Sequence, residues 1–443
     1  MVINSETIVS VSLAFFFFVI ARNGDLSGNA VMSIVLYGGC LLFALSGSRT
    51  KYKYIGANKL IWFITLIPLL YSSAGWFDTV MFAIGIFFVI FTEYSTDSLK
   101  KLYGAVAFVA IINALCVFIQ AIDKTFFDGF AKVWYPDAMY QQYLQTMKSE
   151  PYLNGCNAIV GNTAGYLIVF IGLFFSTCMI KYRKEKSRFS TVLFILCFVA
   201  LLLTGKRGIL ASGIIAVIVI YVVSGEGSKI IHRCLLVVVT VFILLRCATL
   251  IAGLFPNVYG IARVANTIEG VFAGSDVSSG RLRLYGYALQ QFSTSPLFGI
   301  GWKQFNNLTT TLYGYSSVHY VNNDYLQVLC ETGIVGMICI YLPMLLFFTK
   351  SLRMYSSIIT SKISHNVKLA FTFSIFVQIF YLVYSFFEIP LYDRCFFFIY
   401  VLAVSIGYCA QNEFRSVKKN TNKLLTIRGQ TIMVPSKQCG SLK

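Results

Sequence analysis

The sequence predicts an all-α polytopic membrane protein of about 12 transmembrane helices, with a large extracytoplasmic loop between spans 9 and 10. Three observations carry this. The 443 residues are 57% hydrophobic and only 12% charged, where soluble domains carry about 25% charged residues. The apolar residues fall in separate runs near 7–21, 30–47, 58–73, 76–93, 102–122, 157–180, 190–204, 208–224, 229–253, 325–349, 368–387 and 390–411. Most runs are long enough for a helix to cross a bilayer, which takes about 20 residues. They lack the ten-residue alternation of barrel strands. Soluble globular, disordered, collagenous and coiled-coil classes are excluded by the same composition.

The first run has no basic segment before it and no small-residue cleavage site after it, so it is expected to be a retained span. The breaks at Ser73–Gly75 and at Glu388–Pro390 are tight. Orientation follows from the basic residues, which favour cytoplasmic loops. Placing both termini in the cytoplasm puts about two thirds of the 36 Lys and Arg on that side, in nearly every short loop. The expected organisation is helices 1–9 over 1–253, the outer loop over 254–324, helices 10–12 over 325–411 and a basic cytoplasmic tail over 412–443.

The formal charge of +18 therefore has a topological cause and a membrane-lipid partner. No groove-reading helix, zinc motif or separate basic domain points to nucleic acid. The 12 cysteines lie mostly inside spans, form no CxxC or metal-ligand spacing, and read as small apolar residues. No metal and no cofactor is expected.

Polar segments concentrate the candidate chemistry. Asp123–Asn154 carries Trp134, Tyr135, Tyr140, Tyr143 and Tyr152, which fit an interfacial aromatic belt or glycan contact. The loop from Phe255 to Asp324 is long, and long loops are usually functional. It holds Arg263, Arg281, Arg283 and Lys303 on the side that disfavours positive charge. Either the length of the loop lets them cross, or they meet an anion, for which arginine offers a planar fork of donors. Lys206 and Arg207 sit between two apolar runs with hardly any loop. Charges there mark a function or snorkel at a helix end. Of the three histidines, only His319 falls on the outer side, where imidazole is a general base near neutral pH.

A series of motifs runs Gly280-Arg281-Leu282-Arg283-Leu284-Tyr285, then Ser295-Pro296-Leu297-Phe298-Gly299-Ile300-Gly301. Asn322-Asn323-Asp324-Tyr325-Leu326-Gln327 and Glu331-Thr332-Gly333-Ile334-Val335-Gly336 follow. In order and spacing this series resembles the characteristic region of the bacterial O-antigen ligase and O-antigen polymerase superfamily. Thr204-Gly205-Lys206-Arg207-Gly208 resembles the upstream arginine motif. The resemblance implies an inverting glycosyltransferase on the outer face of the bacterial cytoplasmic membrane. Its donor is a glycan on a polyprenyl (undecaprenyl) diphosphate, and its acceptor a hydroxyl of a saccharide or of lipid A-core. It implies catalytic roles for His319, Arg207 and Arg281, and substrate contacts for Lys206, Arg283, Tyr285, Lys303, Asn323 and Asp324. It implies neither a nucleotide sugar nor an essential metal.

One departure concerns the acceptor base. The family often places a histidine where this chain has Asn322, and His319 stands three residues earlier. A helix through 319–326 would put both on one face; without it, Asp324 is the candidate, or leaving-group activation suffices. Arg263 and Gly274 match a spacing associated with polymerases. Polymerase, ligase and protein O-oligosaccharyltransferase share the donor and differ in acceptor. A polysaccharide transporter is the competing class, but it should show internal repeats, and none is evident.

Overall fold

The computed structural model describes residues 57–72, 75–91, 99–135, 137–149, 152–157, 159–180, 188–224, 231–236, 253–254, 259–274, 278, 280–315 and 319–431. The spans read at 7–21 and 30–47, and most of that at 229–253, lie outside the described residues. Among the described residues the regular structure is all helical. A helical segment over 57–71 comes first, with a tighter 3-10 stretch at Ile61–Leu66. The helices α1 (Trp76–Phe91), α2 (Leu99–Ile122), α3 (Lys124–Trp134) and α4 (Asp137–Ser149) follow. Then come α5 (Val160–Ile180), α6 (Arg188–Leu203), α7 (Arg207–Val223), α8 (Tyr259–Phe272) and α9 (Arg281–Thr294). The chain continues through α10 (Gln304–Thr311), α11 (Asp324–Thr360), α12 (His365–Tyr384) and α13 (Arg394–Thr431).

Four described stretches are long and apolar enough to cross a membrane: Leu102–Ile122, Val160–Ile180, Asp324–Thr360 and His365–Tyr384. Shorter apolar helices cover Asn58–Tyr71, Asp78–Phe91, Ser190–Leu203 and Arg207–Val223. The protein is thus a multi-pass helical membrane protein. The centre is α12, which starts on a Ser364 cap accepting from the Val367 N–H. It packs against α13, α7, α5 and α11. Small residues bring these helices together, as in membrane bundles generally. A Cβ at Gly172 would overlap the ring of Phe376, and one at Gly165 the ring of Phe396.

Several boundaries differ from the sequence expectation. The polar segment after α2, for which the sequence alone assigns no secondary structure, forms a pair of helices. Asp123 caps α3 by accepting from the Phe126 N–H at 2.9 Å. The pair closes over its own cluster of Phe127, Ala131, Tyr135 and Tyr143. Tyr135 donates to the carbonyls of Gly155 (2.8 Å) and Asn157 (3.0 Å), so it and Tyr143 are buried structural aromatics. The segment read as one outer loop contains α8, α9 and α10. The helix that contains the last expected span does not end at 411; it runs on to Thr431, through the first part of the basic tail.

The span expected at 325–349 is longer and broken. α11 covers Asp324–Thr360 with a non-helical residue inside, Gly333 at φ 66° and ψ −172°. That region is essentially restricted to glycine. The break exposes backbone groups that need partners, and the Pro296–Gly301 segment supplies them. Ile300 N–H donates to the Cys330 carbonyl (3.0 Å) and Gly301 N–H to that of Glu331 (2.9 Å). In return the Pro296 and Leu297 carbonyls accept from Ile334 (2.9 Å) and Val335 (3.2 Å). Gly299 and Gly333 permit this contact, since a Cβ on either would collide with the opposite backbone. Gly333→Ala is expected to destabilise the fold by at least about 1–3 kcal/mol, read as a lower thermal midpoint in detergent. An unchanged midpoint would show that this break tolerates a side chain.

Candidate functional site

The Thr204–Gly208 corner shows how the sequence builds the site. α6 ends at Leu203, Gly205 turns the chain at φ 66°, and α7 begins at Arg207. Glycine in the left-handed region is the usual helix stop. The Arg207 N–H donates back to the Gly205 carbonyl at 3.0 Å. α7 has no side-chain cap, and neither has α9, whose N-cap is Gly280 at φ 79°. Both helix starts open onto one cavity of about 760 Å³. Free N–H groups and the positive end of the helix dipole make such ends favourable to anions.

The cavity is lined by Lys206, Arg207, Arg263 and Arg281, with Tyr152, Thr267, Gly274 and Tyr285 among the other lining residues. Among its described lining, Glu388 is the one acidic group. Glu388 Oε1 lies 2.8 Å from Arg281 Nη2 and 4.0 Å from Lys206 Nζ, with all three side chains about a quarter exposed. Arg281 also donates to the Phe387 carbonyl. Arg207 Nη1 donates to Thr267 Oγ1 at 2.5 Å. Arg263 and Thr267, four residues apart on α8, present one face to the cavity. The Tyr152 ring lies 4.7 Å from the Arg263 guanidinium and 5.4 Å from Lys206 Nζ, a cation–π platform beneath two of the charges. Burial pushes the Tyr285 phenol above its usual range, partly opposed by the charge of Arg281. It stays a neutral hydrogen-bonding group.

The nine residues singled out from the sequence separate into groups. Lys206, Arg207, Arg281 and Tyr285 line the cavity. Arg281 and Tyr285 are four apart on α9 and share its face, whereas Arg283, two residues on, points elsewhere. Arg283 Nε donates to Tyr315 Oη at 2.9 Å, and the Tyr315 ring lies 4.7 Å from that of His319. His319 donates its backbone N–H to Thr309 Oγ1 at 3.0 Å and is outside the cavity lining. The helix that would align His319 with Asn322 is not formed: α11 starts at Asp324, and Asn322 has φ 55°.

Asn323 is the N-cap of α11, accepting from the Leu326 N–H at 3.1 Å. Asp324 is fully buried. Its Oδ2 accepts from Leu391 N–H (3.1 Å) and Ser385 Oγ (3.3 Å), fastening α11 to the turn between α12 and α13. Lys303 pairs with Asp78 at 2.8 Å and gives its N–H to Glu331 Oε2 at 2.7 Å. None of these three lines the cavity.

Glu388 carries no local sequence signal as a site residue, since it stands in a tight break between two apolar runs. Tyr152 belongs to an aromatic group that fits an interfacial belt or glycan contact equally well. Arg263, an outer-loop cation in the sequence and spaced from Gly274 as in polymerases, lines the cavity together with Gly274. No group of three or more potential metal ligands occurs among the described residues.

Fold and site define a polytopic helical membrane protein with a strongly cationic cavity at the ends of two helices. Residues 192–341 match the family model described as O-antigen ligase. This segment, about a third of the chain, is therefore similar to the O-antigen ligase family. No curated protein matches the chain. The matched segment contains Lys206, Arg207, Arg263 and Arg281; Tyr152 and Glu388 lie outside it.

Asp324→Ala leaves the Leu391 N–H and the Ser385 hydroxyl without their acceptor. It is expected to cost about 1–3 kcal/mol, read as a lower thermal midpoint and a lower folded yield. Asp324→Asn, which retains an oxygen acceptor, should lose less. Equal losses in the two variants would contradict this anchoring role.

Proposed function

We propose that the chain transfers a glycan from a polyprenyl diphosphate donor to a saccharide hydroxyl, on the outer face of a bacterial cytoplasmic membrane, with both termini inside. The observation that carries this is the convergence, among the described residues, of four cations and two helix starts without side-chain caps on one cavity with a single lining carboxylate. A diphosphate leaving group gains negative charge as the anomeric C–O bond breaks. Donors already aimed at that charge lower the barrier. Arg207 and Arg281 are assigned to the diphosphate, with Lys206 and Arg263 beside them and Tyr285 donating its phenolic hydrogen. The domain division that goes with this reading places helices on either side of an outer segment, 254–324, that carries part of the site.

The acceptor oxygen attacks the anomeric carbon with inversion, and the electron pair of the breaking bond passes to the diphosphate. The acceptor proton needs a base. Glu388 fits better than His319 or Asp324, because it alone of the three lines the cavity. Its contact with Arg281 then links proton uptake to the group that meets the leaving diphosphate. Among the acceptor classes, a second lipid-linked repeat is favoured. Arg263 and Gly274, whose spacing is associated with polymerases, both face the cavity. Arg283, Lys303, Asn323 and Asp324 are assigned to holding the surrounding framework.

The test incubates purified protein with a lipid-diphosphate-linked oligosaccharide, with and without lipid A-core. Glycan ladders without core identify a polymerase, and core-linked product identifies a ligase. Arg207→Ala and Arg281→Ala should each lower turnover by about 10²–10³-fold. Glu388→Gln should also lower turnover, while His319→Ala stays near wild type. Absence of any transfer, or near-full turnover in both arginine variants, would sink this reading; a large loss in His319→Ala with an active Glu388→Gln would move the base to His319.

A further inference from the structure

The short turn between α4 and α5 carries Tyr152, the aromatic platform of the cavity, and Cys156 four residues later. Cys156 is buried, and its Sγ lies 2.7 Å from the Sγ of Cys116 on α2. Cys116 is the more accessible of the two. It lies about 9 Å below the end of its helix, at 1.5 Å per residue. The same turn is held to α2 by other contacts. Gly155 N–H donates to Gln120 Oε1 at 3.1 Å, and Asn157 Nδ2 donates to Asn113 Oδ1 at 2.7 Å. Trp134 Nε1 donates to the Cys156 carbonyl at 2.9 Å. Two cysteines held face to face by an independent set of hydrogen bonds need little backbone movement to bond, and that is the usual geometric barrier to a disulfide.

We propose that Cys116 and Cys156 form a disulfide that locks the Tyr152 turn onto α2. Tyr152 touches Lys206 and Arg263, so this turn lies on the same face of the protein as the cavity. The inference rests on the reading that this face is the outer one, where the compartment is oxidising. The oxidant is a protein disulfide of that compartment. The Cys116 thiolate attacks it, giving a mixed disulfide and one released thiol. The Cys156 thiolate then attacks the Cys116 sulfur, releasing the second. Two thiols become one disulfide, and the oxidant leaves as a dithiol carrying the two protons. The bond encloses α3 and α4 and fixes one wall of the cavity.

The experiment blocks free thiols before membranes are opened, purifies the full chain, and maps it by peptide mass spectrometry without reduction. The expected result is a linked pair of peptides containing Cys116 and Cys156, two hydrogens lighter than the free pair. Reductant should lower the thermal midpoint of the wild type by a few degrees and leave that of Cys116→Ser unchanged. Recovery of both cysteines as blocked free thiols overturns the proposal, as does linkage of either to a different cysteine. A linked pair whose reduction leaves the midpoint unmoved overturns the locking role. Glycosyl transfer by protein with both thiols free would leave the functional reading intact, and a linked pair in protein that transfers nothing would do the reverse.

Discussion

The break in α11 at Gly333 is the constraint from which the site's surroundings follow. A helix interrupted near a membrane face leaves donors and acceptors that cannot go unpaired without a cost of several kcal/mol each. The Pro296–Gly301 segment meets that demand from both sides of the break. Doing so ties α9 and α10, which flank this segment in the chain, to the end of a long apolar helix. Below the break, Glu331 is fully buried and accepts from Lys303 N–H, Tyr392 Oη and Gln327 Nε2, at 2.7, 2.7 and 2.6 Å. A buried carboxylate needs such partners, and these come from the α10 approach, the α13 approach and α11 itself. The polar half of the protein is therefore organised around backbone and carboxylate groups that must be satisfied away from water.

Asp324 extends the same logic to the opposite side. Its side chain binds the turn between α12 and α13, and its own N–H donates to the Ser385 carbonyl at 2.8 Å. That turn presents Phe386, Phe387 and Glu388 to the cavity. Asp324, within the Asn322–Gln327 motif, thus acts at one remove from the cavity, through the turn that holds Glu388 against Arg281.

Like charges gathered in one place repel, and the cavity counters this in three ways. Glu388 compensates part of the charge, Tyr152 offers a π face to Lys206 and Arg263, and Thr267 accepts from Arg207. What remains is a net positive cavity with preorganised donors. Such a site suits an anion, because its donors are already in place and little rearrangement is needed.

Much of this was legible from composition and local pattern. The helical membrane class follows from run length and charge scarcity. Gly205 announces the corner that places Lys206 and Arg207 at a helix start, and four-residue spacing pairs Arg281 with Tyr285. Sequence alone fixed the residue types, the helical periodicity and the charge bias, because these depend on neighbours within a turn or on water and lipid. It did not reveal that Arg283 turns away toward Tyr315, that Asn323 serves as a helix cap, or that Asp324 is an anchor. Nor did it reveal that Tyr152 and Glu388 join the cavity. Those outcomes were decided by the tertiary structure, since Tyr152 and Glu388 stand more than 200 residues apart in the chain. Their meeting depends on how α2, α8, α9 and α12 pack, and no local pattern encodes it.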